Sequence, residues 1–233
     1  MAPPAPLGGP IDAVLQTSSV AQTADPPGPQ DRRRDLVRLA TERDARVLSQ
    51  VITDAVLNLP PSAWLVSDPE QRPYVLASYY AMWVELGLRA GTVHITDDHS
   101  SVAIWLPVTG DPPPLPGYPD HLYRAAGNLA LRFDALHKRL SSYHPSSQHD
   151  WLAILAVAPG WQRTGVGTHL LRHHHAVLGR QSRFGYLQAS NLAARDWFRN
   201  RGWSDTSAPI VAPDNGPPFF PMSRTPAPGS VPQ

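Results

Sequence analysis

The sequence predicts a mixed α/β (α+β) domain over residues 35–225, with one layer of sheet and helices on both faces. Three observations carry this. Along that stretch the apolar spacing switches repeatedly between period two and a period of three to four. One segment, Trp151 to Ala158, is almost continuously apolar, as a central strand covered on both faces is. Proline, finally, gathers outside the periodic segments: seven in the first 30 residues, a run in TGDPPPLPGYP (109–119), and more in the closing TPAPGSVPQ.

Taken in order, Leu36 to Ala40 reads as a short strand and Thr41 to Leu57 as a helix that Pro60 and Pro61 terminate. Pro73 sits where a second helix begins, and Tyr74 to Leu88 continues it. Gly91 to Asp97 alternates like a strand. Asp98-His-Ser100 makes a hairpin turn, and Val102 to Val108 returns as the next strand. Asp120 to Leu140 reads as one long amphipathic helix, and Trp151 to Ala158 as the central strand. Gly165 to Leu178 is helical, Phe184 to Ala189 a strand, and Asn191 to Arg201 a helix. Trp203 to Val211 and Pro218 to Arg224 close the sheet. Residues 1–34 and 226–233 hold too few large apolar side chains to offset the entropy of ordering them, and read as disordered tails.

Composition removes several function classes. With no cysteine there is no disulfide, no thiol nucleophile and no Cys-based zinc site. The 20 basic and 19 acidic residues leave a net charge of +1, and no basic stripe extends beyond Arg32–Arg34, so a nucleic-acid partner is not expected. No apolar run reaches 18 residues, and the first residues lack the pattern of a secretory signal; the expectation is a cytoplasmic protein with no membrane partner. His169, His173, His174 and His175 follow the central strand, but adjacent helical positions point about 100° apart and no H-E-x-x-H spacing occurs. They read as surface or ligand-proximal neutral imidazoles, with no metal site.

The segment that carries chemistry is Leu155-Ala-Val-Ala-Pro-Gly-Trp-Gln-Arg-Thr-Gly-Val-Gly-Thr168. A buried strand runs into a tight polar turn and a helix starts at once. Free N–H groups and the positive end of the helix dipole then face the turn and suit a pyrophosphate. The pattern is neither a Walker A loop nor the dinucleotide-binding fingerprint, because no Gly-Lys-Ser/Thr and no third glycine follow. Val157-x-Pro159-x-x-Gln162-x-x-Gly165-x-Gly167, with Gly202-Trp203 downstream, resembles the acetyl-CoA loop of the GCN5-related N-acetyltransferases (GNAT superfamily). Val37–Thr41, Gly91–Asp98 and Val102–Trp105 are similar to the puromycin N-acetyltransferase-like branch.

The resemblance implies a GNAT-like fold: a central, mostly antiparallel, twisted sheet whose middle strands splay apart. It implies acetyl-CoA as co-substrate, without a metal. Leu155, Ala156 and Val157 would hold its arm, and Gln162, Arg163, Thr164, Gly165, Val166, Gly167 and Thr168 its pyrophosphate. The family's usual acid, Asn and Tyr positions are occupied by Gln188, Ala194 and Phe198, so the catalytic candidates left are Ser190 and His149, the latter with Asp150. Tyr79, Tyr80, Trp83 and Trp105 are the candidate acceptor-site residues. The implied function is acetylation of a primary amine of a small molecule, an antibiotic or aminonucleoside, by direct attack in a ternary complex. Acetylation of a protein or peptide, and a catalytically degenerate acyl-CoA-binding module, are the alternatives. A monomer or homodimer fits either.

Overall fold

The computed structural model describes residues 36–225 except Pro116 and Pro119; the expectations for residues 1–34 and 226–233 lie outside it. The elements in chain order are β1 (Val37–Leu39), α1 (Ala45–Val56), α2 (Pro60–Leu65), α3 (Arg72–Ala90), β2 (Thr92–Thr96) and β3 (Ser101–Val108). There follow α4 (Asp120–Ala126), α5 (Ala130–Ser141), β4 (His149–Val157), α6 (Val166–Gln181), β5 (Gly185–Ala189) and α7 (Leu192–Arg199). The short strands β6 (Ser204–Asp205) and β7 (Ile210–Val211) precede the last one, β8 (Pro218–Arg224).

The sheet order is β1-β2-β3-β4-β5-β8-β6, with β7 paired to β8 off that path. All pairings are antiparallel except β4 with β5, which run parallel and meet at only two registers, Asp150↔Gly185 and Trp151↔Tyr186. The β3–β4 register slips between Ile104 and Trp105, leaving Ala153 as an extra residue on β4. Strand alternation sends β3 side chains to two cores. Ile104 and Leu106 join Trp83, Phe133 and Trp151 beneath α1 and α3–α5. Trp105 joins Leu170, Leu171, Phe198 and Trp203 beneath α6 and α7.

Two helix boundaries depart from expectation. Pro60 and Pro61 do not stop α1, which has already ended at Val56; they open the one-and-a-half-turn helix α2. Proline is suited to a first turn, whose N–H groups have no partner in any case. The predicted helix over Asp120–Leu140 is broken into α4 and α5, because Gly127 has φ +53° and a 3-10 turn, Gly127–Leu129, follows it. A left-handed residue cannot continue an α-helix.

The first strand is anchored by a buried carboxylate. Asp44 accepts two bonds from the Arg38 guanidinium (2.9 and 2.8 Å), one from His99 Nε2 (2.7 Å) and one from the Thr41 N–H (2.8 Å). The Arg38 bonds, then those of His99 and Thr41, hold its carboxyl far below the usual carboxylate range against the opposing effect of burial. Asp44→Asn should therefore destabilise the domain by about 2 kcal/mol, with Arg38 still partly solvated, read as a lower urea midpoint at pH 7.5.

Candidate active site

Parallel strands that part after two rungs leave a wedge. From Leu152 onward the β4 edge has no pairing with β5, whose Leu187, Gln188 and Ala189 pair only with β8. Ala153, Ile154 and Leu155 are accordingly half-buried, although the strand is central. A cavity of about 240 Å³ fills the wedge. It runs between the β4 and β5 edges and under α3, which supplies Tyr79, Tyr80 and Trp83.

At the far end of β4 the chain makes a 3-10 turn, Pro159–Trp161, and enters the loop. Two left-handed residues shape it: Arg163 at φ +65° and Gly165 at φ +98°. Gln162 Nε2 donates to Val157 O (3.2 Å) and Thr164 Oγ1 to Trp161 O (2.7 Å), tying the loop back to the strand end. His169 N–H is bonded to Gly165 O (3.0 Å) and is the first donor of the α6 ladder. The N–H groups of Val166, Gly167 and Thr168 precede it and belong to the first turn, where no intrahelical carbonyl is in reach. A Cβ built on Gly165 would meet nothing within 4 Å, so the space over that turn is open.

A feature that sequence reasoning missed completes this end. Arg201 donates from Nε to Thr168 Oγ1 (2.9 Å) and from Nη1 to Trp197 O (2.8 Å), with its guanidinium 3.8 Å from the Trp197 ring centroid. Burial, then the charge of Arg172, lowers its pKa from the ordinary value. Arginine remains charged nonetheless, so a fixed cation stands beside the first turn of α6. The only cue in the sequence was a basic residue before Gly202-Trp203, which carried no spatial information.

Of the predicted acceptor residues, Tyr79, Tyr80 and Trp83 all line the cavity. They also pack as core: Tyr79 lies 4.8 Å from the Phe133 ring centroid, and Trp83 meets Trp151 edge-on at 5.4 Å. Burial raises the Tyr79 phenol to about 12 and the Tyr80 phenol further, so both are neutral donors. Trp105 does not join them. It is 1% exposed on the opposite face of the sheet, stacked on His174 at 3.9 Å. Both faces of β3 are buried, so hydrophobicity gave no sign of which one the indole takes.

Ser190 lines the cavity at the end of β5. The cap of α7 is made by its neighbour: Asn191 Oδ1 accepts from Ala194 N–H (2.8 Å). Gln188 also lines the cavity, but its amide donates to Leu140 O (2.8 Å) and Tyr186 Oη (3.0 Å). Phe198 and Ala194 complete that wall. His149 is elsewhere. It is fully buried at the start of β4, about 26 Å along the strand from the loop, and does not line the cavity. Its Nδ1 donates to Ser147 O (2.8 Å), so its Nε2 accepts from His144 Nδ1 (3.1 Å).

Asp150 and His174 are likewise interior, whereas His169 and His173 are exposed, as expected of a surface set, and His175 is half-buried. His174, 2% exposed, bonds Asp150 Oδ2 through Nε2 (3.2 Å) and His94 Nε2 through Nδ1 (3.1 Å), while Arg183 pairs with Asp150 Oδ1 (2.6 Å). The expectation of a surface set therefore fails for His174, because that side of α6 faces the sheet. Among the described residues no three His, Cys, Asp or Glu side chains gather as metal ligands do.

A family model described as acetyltransferase (GNAT) family matches residues 130–203, the stretch from α5 through β4, the loop and α6 to Trp203. Solved structures extend the likeness across the sheet. A Corynebacterium glutamicum protein described as histone acetyltransferase HPA2 and related acetyltransferase superposes with a TM-score of 0.64 at 23% identity, over 82% of this chain and 96% of that one. This is the GNAT fold. The same fold is seen in a GCN5-related N-acetyltransferase from Rhodopseudomonas palustris, at TM-score 0.51, 14% identity, and 82% and 94% coverage. A mosquito arylalkylamine N-acetyltransferase like 5b matches at TM-score 0.50, 13% identity, and 82% and 99% coverage. No curated protein matches this sequence. In the GNAT frame, the wedge between β4 and β5 and the loop before α6 stand next to each other at the strand ends, and the acetyltransferase model covers both.

Proposed function

We propose that the chain is an acetyl-CoA-dependent N-acetyltransferase that acetylates a primary amine of a small molecule by direct attack. The observation that carries this reading is the junction of two features at one strand end. An unpaired β4 edge opens onto an apolar cavity, and a left-handed loop presents the first turn of a 16-residue helix. The residues present fit the co-substrate. The N–H groups of Val166, Gly167 and Thr168, with Arg201 beside them, hold the pyrophosphate. Leu155 to Val157 offer unpaired strand edge to an extended arm, and Gln162 and Thr164 keep the loop in shape.

Bound acetyl-CoA supplies a thioester whose carbonyl carbon the amine attacks, with the thiol as leaving group. The chain's part is to place a neutral amine, donate to the oxygen that gains charge, and return a proton. The Val157 N–H serves the second task. Ser190 Oγ is the hydroxyl best placed for the third. Gln188 cannot act as a base and Phe198 cannot give a proton. With no cysteine in the chain, no thioester forms on the protein by way of a thiol. Among the described residues nothing in the cavity wall is acidic, which favours a small molecule over a basic peptide. The antibiotic or aminonucleoside reading rests on the sequence similarities at Val37–Thr41, Gly91–Asp98 and Val102–Trp105.

Calorimetry with acetyl-CoA, followed by an assay of CoA release with an amine panel, tests this. Micromolar binding with amine-dependent release is the expected result. Binding without release over the panel would instead support the acyl-CoA-binding module that Gln188, Ala194 and Phe198 suggest.

A further inference from the structure

Among the described residues, the wall of the cavity carries no aspartate, glutamate, lysine, arginine or histidine. Its polar side chains among the described residues are Ser62, Gln188, Ser190, the phenols of Tyr79 and Tyr80 and the indoles of Trp83 and Trp151. Gln188 is already spent on Leu140 O and Tyr186 Oη. Both phenols stay protonated, since burial raises them. The nearest imidazoles are outside the wall: His137 packs on Trp83 and His144 on Trp151. Burial lowers both, His144 to about 3, which makes them poor proton acceptors.

An alkylammonium entering this space would lose its hydration and find neither a counter-charge nor a base. Desolvating an unpaired ion costs several kcal/mol. At pH 7 an alkylamine with a pKa near about 10.4 is neutral in fewer than about one molecule in 10³. An amine bonded directly to an aromatic ring avoids both costs, because its lone pair is delocalised into the ring and it is uncharged at neutral pH. Tyr79, Tyr80 and Trp83 offer the ring edges and faces that a flat aromatic body packs against. The cavity of about 240 Å³ is shared, its β4 edge at Leu155 given to the acetyl-CoA arm and its Tyr79–Trp83 side to the flat ring.

We infer that the acceptor is an aromatic amine whose nitrogen is attached directly to the ring and arrives uncharged, held by the apolar cavity between β4, β5 and the Tyr79–Trp83 segment of α3. This rests on the acetyl-transfer reading above and names the substrate class of that site.

The test compares naphthalen-1-amine with (naphthalen-1-yl)methanamine, which share a ring system and differ by one CH₂ that restores alkylamine basicity. CoA release is followed with the 233-residue chain and acetyl-CoA at pH 6–9, and acetyl-CoA binding is measured separately by calorimetry. The ring amine should have a kcat/KM at pH 7 at least about tenfold higher, its neutral-fraction advantage exceeding its weaker nucleophilicity. Its rate should be flat from pH 6 to 9, whereas that of the alkylamine should climb about tenfold per pH unit. Acetyl-CoA binding with preference for the alkylamine, or with turnover of neither, would overturn the substrate class and leave the co-substrate reading standing. A preference for a long-chain acyl-CoA, with no advantage for the ring amine, would reassign the cavity to the acyl group. Failure to bind acetyl-CoA would overturn the acetyl-transfer reading itself.

Discussion

Replacing Gly165 by valine is expected to weaken acetyl-CoA binding about 100-fold, the factor that corresponds to a loss of about 3 kcal/mol. Two effects act together. Gly165 has φ +98°, a region closed to β-branched side chains, so the loop must rearrange. Any side chain that did fit would also fill the open space over the first turn of α6 and shield its N–H groups from an anion. Fold stability should fall by about 1–2 kcal/mol, the backbone strain of a side chain at positive φ, with no added clash because a Cβ there meets no neighbour. Calorimetry read alongside the thermal midpoint separates the outcomes. A folded variant that binds acetyl-CoA as the parent does would remove the loop from the binding site.

The second large effect is on stability in acid. His94, His149 and His174 are 3%, 0% and 2% exposed, and burial lowers the pKa of each, that of His94 to about 3. For His174 the bond to Asp150 opposes this shift without reversing it. In the unfolded chain each takes up a proton near the ordinary value of about 6.5. Their contribution to stability is therefore complete above about pH 6.5 and is lost as the pH falls from there towards the folded values. His94 alone, held near about 3, removes about 2 kcal/mol between pH 6.5 and 4.5, and His149 and His174 add to the loss in the same direction. Against a domain stability of about 5–15 kcal/mol, that is a large fraction. The urea midpoint should hold steady from pH 7 to 8 and collapse between pH 6 and 4.5. A midpoint unchanged at pH 5 would mean that the buried imidazoles accept protons without opening the fold.

Much of this architecture was legible beforehand, for identifiable reasons. The two-residue period of Gly91–Asp97, the hairpin turn at Asp98–Ser100 and the proline at the start of α3 are local signals, and local signals survive folding. The turn between β4 and α6 was legible because its left-handed position is written in Gly165 itself. Legibility failed where the decision is tertiary. A lone glycine within helical spacing costs only about 1 kcal/mol, so Gly127 did not announce the break between α4 and α5. Apolar residues on α1 and α5, such as Ile52 and Leu136, look the same whether they close a core or line a cavity. His149 and Asp150 are polar residues at a strand start, and only the packed structure shows them buried among His144, His174 and Arg183.

The two-rung contact between β4 and β5 has a mechanical meaning. The sheet is two plates, β1–β4 and β5–β8–β6, joined near one end by the registers Asp150↔Gly185 and Trp151↔Tyr186, with the Asp150 N–H bonded to Phe184 O (3.0 Å) alongside. Such a joint acts as a pivot for any rotation of the plates, and the open end, where Leu155 and Ala189 line the gap, is the part that moves farthest. The pin of the pivot is Asp150, clamped by Arg183 and His174. The two plates are thus fastened from the far end of the sheet, by groups that do not line the cavity between them.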